Sequence, residues 1–247
     1  MTEPSVHRPM FAGVIFDLDG TLADSLDFSV ESIRLACEET SGHRFRDEEV
    51  RAHFGPSEEG VIRSLVGPEL ASAAYRRFWE IYRDGHRRRV APFNGVVAML
   101  RGLESRGLWR GVVTGKGEET AGWTLREAGL AGWFPPPRCG TPEGGFKAEN
   151  LRATADEWMV PPGGVAYVGD QSSDVTIARR VGLRPVGAGW APGTDRAGLA
   201  LAGAEVVLRA PKELLKWVDG QIRASSPTVG TSPPDRHRHG VKPPGQG

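Results

Sequence analysis

Val14-Ile15-Phe16-Asp17-Leu18-Asp19-Gly20-Thr21-Leu22-Ala23-Asp24-Ser25 opens on three apolar residues and stops on carboxylates, a glycine and hydroxyls. An apolar run bounded in this way reads as a buried strand that delivers a polar loop. Asp17 and Asp19 are two residues apart, so in an extended segment both side chains lie on one edge while Leu18 faces elsewhere. Gly20 permits a sharp turn, and Thr21 carries a hydroxyl and an amide suited to a phosphate group.

Downstream of this loop, Leu26, Val30, Ile33 and Cys37, and later Leu70, Ala74, Phe78 and Ile81, recur at helical spacing, and no strand-like alternation interrupts residues 26–89. After Pro92 short apolar strands alternate with helices. Val96, Leu100 and Leu103 line a helix ended by Gly107, and Val112-Val113 reads as a strand leading to Thr114-Gly115-Lys116. A helix carrying Leu151, Ala155 and Trp158 begins near Lys147, and Val165-Ala166-Tyr167-Val168 reads as a strand ending on Gly169-Asp170. Val206-Val207-Leu208 is a last strand before a helix opened by Pro211. The pattern predicts a doubly wound α/β domain with a parallel sheet, its core formed by residues 10–24 and 91–222, and a small all-helical cap over 25–90. From Ala224 to Gly247 proline and glycine supply nine of 24 residues, which predicts a disordered tail in which His237 and His239 are solvated rather than metal-bound.

Ligands of open α/β sheets bind outside the carboxyl ends of the strands, so Asp17, Thr114 and Asp170 are expected to converge. A carboxylate can attack phosphorus, but two anions approach only when a cation screens them. Magnesium suits that task, since two carboxylates, a backbone carbonyl, a phosphate oxygen and water complete its octahedron. The second carboxylate can protonate the leaving alcohol and then activate water. Thr114 can donate a hydrogen bond to the phosphate, and Lys147 would neutralise its equatorial oxygens.

These residues resemble the haloacid dehalogenase-like superfamily, in its phosphoglycolate-phosphatase-like branch with a helical cap, over residues 12–220. The run Asp17 to Ser25 is similar to the first motif, Thr114 stands at the second, Lys147 at the third, and Gly169-Asp170-Gln171-Ser172-Ser173-Asp174 at the fourth. The resemblance implies Asp17 as nucleophile, Asp19 as acid and base, and Asp17, the Asp19 carbonyl and Asp170 as Mg2+ ligands. It also implies that Asp174 joins the metal group or orients its shell or Lys147, while capping the following helix. Gly115 replaces a frequent asparagine and is counted with Gly20 and Thr21 as substrate-binding, and Ala148 replaces a usual proline after Lys147. His53 and Gly55 fall where relatives carry a substrate-reading loop. Lys147 is preferred to Lys116 as the third-motif lysine, Lys116 being read as a surface charge.

The activity implied is a magnesium-dependent phosphatase acting on a small phosphorylated metabolite, of phosphoglycolate or sugar phosphate type, through an aspartyl phosphate on Asp17. A dehalogenase has no need of Asp19, and a phosphonatase needs a cap lysine, whereas no lysine precedes Lys116. A sugar phosphomutase usually has an acidic residue where Gly169 stands and ranks second. A binding or regulatory protein would not need both Asp17 and Asp19.

Composition restricts the partners. The 31 basic and 31 acidic residues balance, so no net charge draws the chain to nucleic acid or a membrane surface. The arginines from Arg76 to Arg89 read as a solvated helix face, and the seven tryptophans are scattered, with helix-borne ones such as Trp79 and Trp123 expected in the core. Two cysteines are too few for a disulfide framework, no stretch reaches the ~20 apolar residues of a membrane span, and no apolar signal core opens the chain. A cytoplasmic protein is expected.

Overall fold

The structure, a computed structural model, describes residues 10–225. β1 (Gly13–Phe16), β2 (Trp109–Val112), β3 (Val165–Gly169), β4 (Arg184–Ala188) and β5 (Val206–Leu208) form one parallel sheet in the order β2-β1-β3-β4-β5. β1 is thus flanked on both sides, and the chain passes from it first to β2 on one side and later to β3 on the other, which opens a crevice at the carboxyl ends of these strands.

Both faces of the sheet are covered, which is why its strands read as apolar runs rather than as alternations. Val14 and Phe16 point into the larger apolar core with α5 (Val96–Glu104) and α10 (Glu213–Ser225). Ile15 and Tyr167 point the other way, against α7 (Lys147–Glu157) and α8 (Ser172–Arg180). α6 (Glu118–Glu127) adds Ala121 and Leu125 to the larger core, and α9 (Arg196–Leu201) packs on β4, β5 and α8. No strand was expected at β4, because Pro185 and Gly187 interrupt its apolar pattern.

Between β1 and α5 the chain forms α1 (Leu26–Ser41), α2 (Asp47–Ala52), α3 (Glu58–Val66) and α4 (Pro68–Arg89). Pro68 opens α4, where a missing N–H costs nothing. The buried stripe of α4 is Ala74, Phe78, Tyr82 and His86. It is rotated from the expected one: Leu70 is exposed and Ile81 only partly buried. Tyr82 stacks between Phe28 of α1 (5.4 Å between ring centres) and Phe78 (5.2 Å), and burying a side chain of this size stabilises by about 1.5–3 kcal/mol. The segments that enter and leave this helical layer run side by side: Asp24 N–H donates to the Ala91 carbonyl (2.9 Å) and Phe93 N–H to that of Leu22 (3.1 Å).

α10 continues through Ala224 and Ser225, which the sequence reading placed in the tail; the stripe of Leu214 and Val218 docks it on the core. Residues 226–247, with His237 and His239, lie outside the described residues. Among the described residues no helix is long and apolar enough to cross a membrane.

Candidate active site

Asp17 is the first residue past β1, and its N–H still donates to the Val168 carbonyl (2.9 Å), so the end of the parallel ladder fixes its backbone. Asp170 is the first residue past β3, and Asp174 lies in the first turn of α8. Three carboxylates are thereby gathered with oxygens within 4.8 Å of one another, all buried. Lys147, the first residue of α7, places its ammonium 3.5 Å from Asp17 and donates to Asp174 Oδ1. Tyr167 hydroxyl donates to the same oxygen (3.3 Å), while Asp174 Oδ2 accepts from Gln171 N–H (3.1 Å) and closes the first turn of α8. Asp174 therefore both orients Lys147 and caps its helix.

One cation does not balance three anions. Burial, with the neighbouring Asp174, Asp170 and Asp19, pushes the Asp17 carboxyl up to about 8 despite Lys147. Burial and Asp174 push Asp170 up to about 7 against the hydrogen bond from Gln171. For Lys147 burial opposes the charged form, but Asp17 and Asp174 outweigh it and hold the ammonium well above its usual value. Asp17 Oδ1 is buried without a hydrogen-bond partner. An orphaned carboxylate oxygen among hard oxygen donors with excess negative charge fits a divalent cation such as magnesium.

Asp19 stands apart from this group. Its Oδ1 accepts from Ser25 hydroxyl and its Oδ2 pairs with Lys116 (3.2 Å). Thr114, past β2, is buried with its backbone N–H on the Arg138 carbonyl (3.0 Å). Asp17, Asp19, Thr114, Gly115, Lys147 and Asp170 all line one cavity of about 580 Å³ between the sheet ends and the helical layer. Leu26, Ile33, Phe54 and Val61 supply apolar wall from the helical side, and Arg51 and Arg180 lie in the lining as further cations.

Several expected substrate residues are elsewhere. Thr21 is wholly buried; its hydroxyl faces Asp170 (3.4 Å) and its amide bonds the Leu18 carbonyl (3.4 Å), leaving neither for phosphate. Gly20 has φ +75°, and a Cβ there would sit 2.4 Å from Asp170 Oδ2, so its role is to admit that carboxylate. His53 is exposed, outside the lining, with Nδ1 2.8 Å from the Glu49 carbonyl, whereas Gly55 does line the cavity. A Cβ at Gly169 would meet Asp174 Oδ2 at 2.4 Å, so this arrangement has no room for the acidic residue usual in mutases.

Lys116, read as a surface charge, is 4% exposed. It is enclosed by Asp19, Glu58 of α3 and Ser29 of α1. Its one sequence signal was its place beside Thr114 in a strand-end loop; Glu58 and Ser29, polar residues of amphipathic helices, gave none.

Comparison with known proteins agrees with this geometry. The chain is 32% identical over 217 residues to a phosphoglycolate phosphatase of Synechococcus elongatus, covering 85% of this chain and 98% of that one. It is 31% identical over 183 residues to the tyrosine-protein kinase PtkA of Mycobacterium tuberculosis, covering 73% of this chain and 62% of that one. A predicted phosphoglycolate phosphatase from Haemophilus somnus superposes with a TM-score of 0.72 at 20% identity, over 84% of this chain and 97% of that one, which is a likeness of fold. The family model that matches spans residues 14–188, from the middle of β1 to the end of β4, and takes in every carboxylate of the cavity. By that match the chain belongs to the haloacid dehalogenase-like hydrolases.

Proposed function

We propose that this hydrolase is a magnesium-dependent phosphatase that passes the phosphoryl group of a small phosphorylated metabolite through Asp17. The observation that carries the reading is the division of labour between two carboxylates: Asp17, with an orphaned oxygen, beside Asp170 and Lys147, and Asp19, held separately by Ser25 and Lys116. Asp17, Asp170 and the Asp19 carbonyl would hold the magnesium, with Asp174 orienting Lys147 beside it. Bound there, the ion supplies the positive charge that keeps Asp17 ionised and lets an anionic ester approach it.

Asp17 then attacks phosphorus, forming a P–O bond to its carboxylate while the ester P–O bond breaks, and Asp19 gives its proton to the departing oxygen. In the second half Asp19, now ionised, takes a proton from water, whose oxygen attacks phosphorus and releases inorganic phosphate and free Asp17. Thr114 donates to a phosphoryl oxygen, Lys147 neutralises the charge on the others, and Gly115 leaves the backbone open to them. Gly55 and its neighbours in the helical layer face the rest of the substrate, while His53, Gly20 and Thr21 drop out of the substrate shell. The helical layer keeps bulk water from the phosphorylated aspartate.

The substrate class, a phosphoglycolate or sugar phosphate type of monoester, is supported by the similarity to the Synechococcus enzyme. The lack of space at Gly169 weighs against a mutase. A cytoplasmic setting belongs to the same reading and is supported by two unpaired thiols, Cys37 and Cys139. The test is release of phosphate from 4-nitrophenyl phosphate with and without magnesium, by the natural chain and by Asp17→Asn. The variant should be folded and inactive, and turnover by it would overturn the assignment.

A further inference from the structure

Lys116 is the buried cation that the reaction scheme above leaves without a role. Its ammonium forms ion pairs with Asp19 Oδ2 (3.2 Å) and Glu58 Oε1 (3.1 Å), donates to Ser29 hydroxyl (2.9 Å) and lies 5.0 Å from the centre of the Tyr82 ring. Three of these four partners come from the helical layer, and only Asp19 shares the sheet side with the lysine. Of these contacts only the one to Ser29 is a hydrogen bond; Asp19 and Glu58 hold the ammonium as ion pairs, so two carboxylates of the chain already face its charge. Glu58 makes a second link across the seam, its Oε2 accepting from Gly117 N–H (2.9 Å), and Ser57 N–H donates to the Thr141 carbonyl beside it (2.9 Å).

A buried ammonium is tolerated only where carboxylates and hydroxyls surround it. That condition is met here by the seated helical layer, so the state of the layer decides how Lys116 is held. Lys116 in turn fixes one oxygen of Asp19 while Ser25 fixes the other. We propose that Lys116 is a positioning residue for Asp19 and that Glu58 makes this positioning depend on closure. With the layer seated, Glu58 and Ser29 hold the ammonium where it aims the Asp19 carboxyl at the leaving oxygen. With the layer lifted, Lys116 loses both and the aim is lost, so proton transfer is confined to the closed enzyme. This rests on the assignment of Asp19 to proton transfer.

The experiment compares kcat/KM for phenyl phosphate and 4-nitrophenyl phosphate, which have nearly the same shape but leaving groups of different acidity. That ratio reports phosphoryl transfer to Asp17 rather than the later hydrolysis. Lys116→Met and Glu58→Gln should each lose about 10-fold or more on phenyl phosphate, a part of the ~100 to ~10,000-fold that acid–base help supplies, and much less on the nitrophenyl ester. The double variant should be no slower than Lys116→Met, since the two residues act as one unit. Equal losses on both esters, unchanged rates, or losses that multiply in the double variant would overturn the proposal. Glu58→Gln retains an acceptor for Gly117 N–H, so it decides the matter if Lys116→Met fails to fold. Asp17→Asn run alongside separates the outcomes: turnover there rejects the phosphatase reading itself, whereas an inactive Asp17→Asn with wild-type Lys116→Met rejects only the role given to Lys116.

Discussion

Replacing Asp19 by asparagine leaves Asp17 able to attack but removes the group that moves protons. With an activated ester such as 4-nitrophenyl phosphate, which needs little help in leaving, Asp17 should still be phosphorylated and then released slowly. The phosphoenzyme should therefore accumulate, visible as a mass increase of the intact chain, with the steady-state rate down ~100-fold or more. An Asp19→Asn protein that hydrolyses an alkyl phosphate at the natural rate would make Asp19 a turn residue only. The carboxylates also set a pH dependence. Without a cation, Asp17 at about 8 and Asp170 at about 7 hold protons more tightly than the usual value of 3.8 near which they titrate when unfolded. The folded state binds more protons between those limits, so its stability falls as pH rises through about 7 and 8. His86 runs the other way: burial, with Lys116, lowers it from 6.5 to about 4, so rising pH adds stability up to 6.5. The melting temperature of metal-free protein should consequently fall between pH 6.5 and 8, and magnesium should raise it more at the upper end. A flat metal-free profile would count against the carboxylate cluster as the cation site. At this scale Asp17 and Asp170 were legible as candidates because each directly follows an apolar strand, and Asp19 because it shares the loop of Asp17. Lys116 was not, because its burial depends on residues in α1, α3 and α4 that sequence alone does not bring near it.

Among the elements, the junction of β3 and α8 is closely packed at the site. Gly169→Ala would place a methyl 2.4 Å from Asp174 Oδ2, and Asp174 can yield only by leaving Gln171 N–H or Lys147. The expected cost is about 1–3 kcal/mol of stability, with activity falling further because Lys147 loses its anchor. Chemical denaturation and phosphate release measure the two effects, and a fully active variant of natural stability would show that the junction relaxes freely. Strands β1 and β3 were readable because buried parallel strands are continuous apolar runs. β4 was not, since Pro185 and Gly187 are weak strand formers and pairing with β3 and β5 overrides local preference there. The stripe of α4 was misplaced by part of a turn because Tyr82 and His86, polar by type, take their burial from Thr124 on α6: Tyr82 hydroxyl lies 2.8 Å and His86 Nε2 3.3 Å from its oxygen.

Across the whole molecule, that Thr124 hydroxyl is one of several bonds by which the helical layer sits on the sheet layer. Others are Glu58 with Lys116 and Arg63 with the Pro142 carbonyl (3.1 Å). Thr124→Val keeps the shape and leaves the Tyr82 hydroxyl and His86 ring without their partner, which should cost about 1–3 kcal/mol. A lowered melting temperature with KM raised more than kcat is lowered would show that the seam holds the layer down; no change in either would place the closing energy elsewhere. The change of period read at Pro92 has α1–α4 before it and β2–β5 after it, but the seam was not legible, because its bonds join residues far apart in sequence.

The paired segments around Asp24 and Ala91 have one further consequence. Since the chain departs from and returns to the sheet through residues already hydrogen-bonded to each other, everything between them is topologically a single excursion from a hairpin-like neck. The entropy of closing such an excursion grows only slowly with its length, so its sequence can lengthen, shrink or be exchanged with little effect on whether the strands assemble. Asp17, Thr114, Lys147, Asp170 and Asp174 all lie outside it. Such a layout would let this segment be exchanged between relatives with the five residues left in place, provided that Glu58 and Ser29, which reach Lys116 from within it, are kept.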